Sequence, residues 1–308
     1  MDLRLLQKIQ RDTGFSIDFL EKTFHLTSIL SAISGHKNLG RMLTLKGGTA
    51  LNFVYLDVPR LSVDLDFNFT GALEKQRMFE LRKVISREIV ELGRSLGYRV
   101  SKRPESYIME RFVLKYRKLS GLQDSLRLEI NYLERVPFVS VVRKRFKNIF
   151  GGEKLHINTY TVEEIAAMKT KAMAERLYAR DIFDVYNISG LEINCILLRK
   201  LMILYLLMAR KEPGVENLLG KIRRYDEKEM WRVLRAFVRL EEGDLNPGLI
   251  KKETESFYRK IFVLDDLDLA FLKSLREGEL NLKILFGNLP FNMHSENHPG
   301  LLWALELG

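Results

Sequence analysis

A chain of 308 residues, 46% of them hydrophobic, is long enough to bury a core and suggests two domains or one domain with a large extension, which excludes a disordered chain. With 50 Lys and Arg against 40 Asp and Glu, the formal net charge is +10, a balance that favours a polyanionic partner such as nucleic acid or nucleotide phosphates. The lone cysteine, Cys195, excludes an intrachain disulfide.

The amino terminus, "MDLRLLQKIQRDTG", lacks the long apolar region of a signal peptide, so a cytoplasmic protein without a membrane partner is expected. Next, "DFLEKTFHLTSILSAISGHKNL" carries Phe19, Leu20, Phe24, Leu26, Ile29, Leu30 and Ile33 at helical spacing. The pattern then changes: "RMLTLKGG" is short and β-like, "TALNFVYL" fits a helical turn, and "LSVDLDFNF" alternates as a strand does. Residues 74–95 predict an amphipathic helix ending near Gly97. "YRVSKRP", "RFVLKYRKL", "SLRLEINYLER" and "FVSVVRKRF" follow as strands of a mostly antiparallel sheet, and "FGGEKLHINTY" adds paired glycines and a last short strand. A domain boundary is expected near residues 151–160. Beyond it the chain reads as helix to about residue 290, opening with Thr161 and Glu164 as a capping box. Within this part "INCILLRKLMILYLLMA" is the most apolar run; Arg199 and Lys200 interrupt it, so it predicts a core helix rather than a membrane span, with Cys195 as a buried structural thiol. The expected fold is α+β: residues 1–158 as a lobe of helices and sheet, residues 159–308 as a helical carboxy-terminal lobe.

The stretch "KGGTALNFVYLDVPRLSVDLDF", residues 46–67, carries the chemistry. In a strand, alternate residues share a face, so Asp64 and Asp66 project together while Val63, Leu65 and Phe67 face the other way. Two adjacent carboxylates repel unless a cation sits between them, and Mg²⁺ (or Mn²⁺) takes one or two protein carboxylates plus water and phosphate oxygens. Upstream, Gly47 and Gly48 allow close backbone approach, and a helix starting there would aim amide donors at phosphate. Thr49 adds a hydroxyl and Lys46 a positive charge. A third metal-binding carboxylate is expected of a site that positions an in-line attack on phosphorus, and Glu129 is the candidate, on one face with Arg127 and Asn131. Either feature alone, a glycine pair or an acidic pair, is commonly structural; together, with apolar residues interleaved, they point to a site.

A glycine-glycine-Thr/Ser element followed by Asp-x-Asp resembles the signature of the DNA polymerase β-like nucleotidyltransferases. The fuller "LKGGTALNFVYL…RLSVDLDF" is similar to one branch, the AbiEii/AbiGii toxin family. "EEIAAMKTKAMAERLYARDIFDVYNI" resembles that family's downstream motif, and "NHPGLLW" its carboxy-terminal ending. The resemblance implies a bilobed fold with a mixed sheet, Ser62 and Asp64 as a catalytic Ser-x-Asp pair, Asp66 as second metal ligand, and Lys169 and Asp181 completing the active site. It also implies a toxin that transfers nucleotides from a nucleoside triphosphate, in some members onto the 3′ end of tRNA, and a winged-helix antitoxin encoded alongside.

If the downstream helix is continuous, 100° per residue places Arg176 and Arg180 each within roughly 20° of Lys169, with Asp184 about 60° off. That stripe suits a triphosphate or an RNA backbone. Either Lys169 or Lys171 fits the triphosphate contact, the stripe favouring Lys169, and Asp181 fits either catalysis or the holding of cationic side chains. Five histidines show no zinc-ligand spacing, and no Walker-type loop is present. Two other activities are compatible with the same residues: a phosphotransferase using the same site, or a non-catalytic RNA-binding module.

Overall fold

The computed structural model describes residues 2–103, 106–152, 154–239 and 245–306. Pro104, Glu153 and residues 240–244, which fall in or beside predicted elements, lie outside the described residues. The chain divides into two compact units: Met1–Arg135, Val141–Thr159 and Arg235–Asp244 form the first, and Val136–Ser140, Tyr160–Leu234 and Leu245–Gly308 the second.

The first unit begins with α1 (Leu3–Thr13), capped by the Asp2 carboxylate, and α2 (Ile17–Gly35), whose first turn is capped by Ser16. A short α3 (Leu39–Met42) leads into β1 (Leu43–Leu45). The glycine pair starts α4 (Gly47–Ala50), which widens into a π turn over Leu51–Tyr55. Then come β2 (Asp64–Phe69), α5 (Lys75–Ser95), β3 (Arg99–Lys102), β4 (Met109–Arg117), β5 (Gln123–Asn131), β6 (Val142–Arg145) and β7 (His156–Thr159).

Among the described residues seven strands join one sheet in the order β3-β4-β5-β2-β1-β7-β6. It is mixed: β2 runs parallel to β5 and β1 to β7, while the other neighbours are antiparallel. Alternation sorts the two faces. Leu65, Phe67, Phe112, Leu114, Leu126, Leu128 and Ile130 are buried, and α2 and α5 pack on that side. The last predicted strand before the glycine pair at 151–152 is shorter than its apolar run suggests. Residues 138–141 of "FVSVVRKRF" leave the sheet, because Phe138 and Val139 give their backbone N–H groups to the Glu164 carboxylate.

The second unit is helical: α6 (Val162–Arg176), α7 (Ala179–Ile188), α8 (Cys195–Met208), α9 (Glu216–Arg224), α10 (Glu227–Leu234), α11 (Pro247–Ile261), α12 (Asp266–Arg276), α13 (Leu282–Phe286) and α14 (Pro299–Glu306). As its apolar run predicts, α8 is the core helix, packed against α6, α11, α13 and α14. Among the described residues no helix is long and apolar enough to cross a membrane. The two cations in α8 are absorbed by ion pairs: Lys200 Nζ lies 2.7 Å from Asp265 and 2.8 Å from Asp268, and Arg199 Nε lies 2.7 Å from Asp268. Although burial works against ionisation of Asp265, hydrogen bonds from Lys200 and from the Asp268 N–H hold its carboxyl well below the usual carboxylate range.

Three local expectations are corrected here. Cys195 is only half-buried, because it opens α8 where the helix emerges from the core. The capping box is half-formed: Thr161 accepts from the Glu164 N–H at 3.4 Å, but the Glu164 side chain turns inward to residues 138–139 and to the Tyr205 hydroxyl. The helix expected to run through Lys169 to Asp184 breaks at Leu177, which has φ 20° and ψ 91°. Arg176 therefore shares the α6 face of Lys169, whereas Arg180 belongs to a separate helix.

Candidate active site

The acid pair is built by the pairing of β1 with β2. Leu45 lies opposite Phe67, and one step further the Lys46 N–H donates to the Asp66 carbonyl at 2.9 Å, so the glycine turn begins directly against Asp66. Gly47 has φ 71°, a conformation that L residues avoid, and a Cβ on it would stand 2.8 Å from Asp66 Oδ2. Gly48 is packed as closely: a Cβ there would meet Arg60 Nη2 at 2.5 Å and Ser62 Oγ at 3.1 Å. The amides of Gly47, Gly48 and Thr49 precede the first helical bond, from the Ala50 N–H to the Lys46 carbonyl, and so have no acceptor within the helix.

Thr49 and Ser62 are both buried. Thr49 Oγ1 donates to the Asp64 carbonyl at 2.6 Å and lies 3.0 Å from Ser62 Oγ, which braces the start of α4 against the start of β2. Asp64 retains 31% side-chain exposure, with Arg127 Nε 3.5 Å from its Oδ1. Lys46 is engaged elsewhere: its ammonium lies 3.1 Å from Glu134.

Parallel pairing of β2 with β5 sets Asp64 beside Arg127 and Asp66 beside Glu129. Neighbouring residues of paired strands project from the same face, so Glu129 stands next to Asp66. Its carboxylate is drawn by Arg111, whose Nε is 3.0 Å away. Among the described residues no three His, Cys, Asp or Glu side chains converge as a metal cage. The donor set that fits a hard cation is therefore the pair Asp64 and Asp66, the one or two carboxylates from which Mg²⁺ ordinarily hangs while phosphate and water complete its shell.

In the second unit the bend at Leu177 folds α7 back on α6. Lys169 Nζ lies 2.8 Å from Asp181 Oδ1 and 2.7 Å from Asp184 Oδ2, and all three residues are buried. Asp181 Oδ2 is buried without a hydrogen-bond partner among the described residues. Arg176 is exposed and stacks over Tyr178, 5.1 Å from the ring centroid, and Arg180 is half-buried.

A family model described as nucleotidyl transferase AbiEii toxin, type IV TA system, matches residues 28–276. The chain belongs to the AbiEii family. As an AbiEii protein it is a nucleotidyltransferase toxin of a type IV toxin–antitoxin system, which brings a nucleotide substrate and an antitoxin partner. Its fold is similar to that of MenT4, a nucleotidyltransferase toxin from Mycobacterium tuberculosis H37Rv, with TM-score 0.67 and 16% identity over 92% of this chain and 98% of that one. JHP933 from Helicobacter pylori is similar with TM-score 0.52 and 17% identity, over 85% of this chain and 98% of its own. A putative nucleotidyltransferase from H. pylori gives TM-score 0.51 and 17% identity, over 87% and 100%. No curated protein sequence matches the chain.

Two residues beside the candidate site escape a reading of the sequence. Arg60 is buried with its guanidinium against Gly48, donating to the Leu61 carbonyl at 3.0 Å. Its loop is pinned by residues 237–239, through Leu61 N–H to the Phe237 carbonyl at 2.8 Å and Arg239 N–H to the Pro59 carbonyl at 3.0 Å. The available signal was the alternation Arg60, Ser62, Asp64. Glu134, partner of Lys46, sits in a turn that Asn131 Oδ1 holds by accepting from the Leu133 and Glu134 N–H groups.

Proposed function

We propose that this AbiEii protein transfers a nucleoside monophosphate from a nucleoside triphosphate to an acceptor hydroxyl, an RNA 3′ end such as that of tRNA, in the cytoplasm. The observation that carries the reading is the close approach of Gly47 to the Asp66 carboxylate, so tight that a Cβ would stand 2.8 Å from Oδ2: the helix start and the acid pair meet with no side chain between them. Asp64 and Asp66 would hold Mg²⁺ or Mn²⁺, which when bound supplies charge neutralisation on the phosphate oxygens. Glu129, held by Arg111 beside Asp66, is the reserve ligand.

In this reading the Gly47 and Gly48 amides receive triphosphate oxygens, with Thr49 and Ser62 bracing the turn and Arg60 placing a buried positive charge behind it. The acceptor hydroxyl gives up its proton to water and attacks the α-phosphorus, an O–P bond forms, the bond to the bridging oxygen breaks and pyrophosphate leaves. Arg176 and Arg180 are proposed to meet phosphate. Lys169, with its ammonium committed to two buried carboxylates, is assigned with Asp181 to bracing the fold of that unit rather than to direct phosphate contact. The partner is proposed to be a winged-helix antitoxin.

The test is incubation with Mg²⁺, total tRNA and nucleoside triphosphates labelled at either the α or the γ position. Label from the α position should reach RNA with the wild type and not with Asp64→Ala, and none should follow from the γ position. Absence of metal-dependent α-label transfer to any acceptor refutes the reading, and transfer of γ-label replaces it with a phosphotransferase.

A further inference from the structure

We propose that the exposed face of strands β3, β4 and β5 docks the phosphate backbone of the acceptor RNA. The proposal rests on the RNA-acceptor reading above and adds the surface that holds the strand. Alternation along β4 sends Phe112, Leu114 and Tyr116 into the core and leaves Arg111, Lys115 and Arg117 exposed. Along β5, Leu126, Leu128 and Ile130 are buried, and Arg127 is exposed on the opposite side. Register aligns these rows: Arg99 of β3 lies opposite Lys115, Arg117 opposite Gln123, and Arg111 opposite Glu129. Through the β5–β2 pairing the same face carries Asp64 and Asp66.

Within these three strands the face holds Arg99, Arg111, Lys115, Arg117 and Arg127, and its one acid is Glu129. Defence of a sheet edge accounts for a cation on β3, because charged side chains discourage edge-to-edge pairing. It does not account for Arg111, Lys115 and Arg127, which lie where β4 and β5 are bonded on both sides. Strands about 4.8 Å apart carry this surface roughly 14 Å out from β2. That is about four nucleotides at roughly 3.4 Å of rise each.

The partner is polyanionic RNA rather than an acidic protein. Protein interfaces centre on aromatic and apolar residues with charge depleted, whereas the uncharged positions here are Ser101, Met109, Val113, Gln123, Ser125 and Asn131, mostly small or polar. With no ring on the face for a base to stack on, the contacts are with phosphate, and binding is indifferent to base sequence.

The experiment compares salt dependence of binding to a fluorescently labelled oligo(U) RNA for three full-length proteins. They are the wild type, Arg99→Gln/Lys115→Gln/Arg117→Gln, and Lys83→Gln/Arg87→Gln/Arg94→Gln, which removes the same charge from the exposed side of α5. Each lost phosphate contact lowers the slope of log affinity against log salt by about 0.7. The sheet variant should therefore lose about 2 from the slope, so a fourfold rise in salt weakens the wild type about 18-fold more than the variant. The α5 variant should keep the wild-type slope, oligo(A) should behave as oligo(U) does, and nucleoside triphosphate affinity should be unchanged in all three. Equal weakening by both triple variants, or by neither, overturns the proposal. Retained RNA binding with loss of polyglutamate binding also overturns it, assigning the face to an acidic protein. Because binding is read without turnover, failure of nucleotide transfer leaves this result standing, and wild-type transfer to RNA by a sheet variant with unaltered KM sinks the surface alone.

Discussion

Gly47→Ala isolates the contact on which the site depends. The residue has φ 71°, where an L residue costs about 1–2 kcal/mol, and the new Cβ would stand 2.8 Å from Asp66 Oδ2. To restore ordinary contact the carboxylate must retreat by about half an ångström. Reduced freedom of the unfolded chain returns about 0.4–1 kcal/mol, and a steric coupling between touching residues is typically 0.5–3 kcal/mol, so the net loss is about 2 kcal/mol. Displacement of a reacting group by 1 Å costs about 100-fold, so transfer per folded molecule should fall between about tenfold and 100-fold. Urea denaturation measures the first quantity and α-label transfer the second. In an Asp66→Ala background the nearest contact that remains is Asp66 Cβ at 3.4 Å, so Gly47→Ala should then show the φ penalty alone. A stability loss in both backgrounds that is equal, together with unimpaired transfer in the single variant, would falsify the idea that this glycine exists to let the backbone meet the carboxylate.

The other predictions concern stability. Lys169→Met removes the ammonium that pairs with both buried carboxylates, Asp181 and Asp184, which should cost about 3–5 kcal/mol in urea denaturation. Adding Asp184→Asn should recover part of it, and a loss below about 1 kcal/mol would show that the cluster does not brace the unit. Burial pushes the His25 imidazole down to about 4, its Nδ1 lying 2.7 Å from the Tyr98 hydroxyl and its ring 3.9 Å from that of Tyr116. The unfolded chain binds this proton near pH 6.5, above the folded value, so the contribution is full above 6.5 and is lost as pH falls toward 4. Thermal melts of His25→Phe between pH 4 and 7 should therefore show a flatter acid limb than the wild type; an identical limb would remove His25 from the account.

Much of the site is legible in the chain because it rests on local periodicity. Alternation alone puts Asp64 and Asp66 on one face and Glu129 on one face of its own strand, since side chains in any strand alternate regardless of what lies beside it. Apolar spacing likewise marks α2, α5 and α8, and the glycine pair with Asp-x-Asp marks the family. What alternation lacks is the pairing between strands. The parallel register of β2 with β5, which stands Glu129 beside Asp66, is a contact between residues far apart in sequence, as is Arg111 drawing that carboxylate aside.

The helical part shows the same division. Capping chemistry at Thr161 is local and forms as expected, yet Glu164 prefers the backbone of Phe138 and Val139, a stronger and buried use of its charge. A helical wheel through residues 169–184 fails at Leu177, because two buried carboxylates reach the Lys169 ammonium only if the helix breaks there and turns back. Periodicity along the chain settles which faces are apolar and which residues carry charge. Which charges meet depends on the fold, since a buried ion finds its partner by proximity in space and not by distance along the chain.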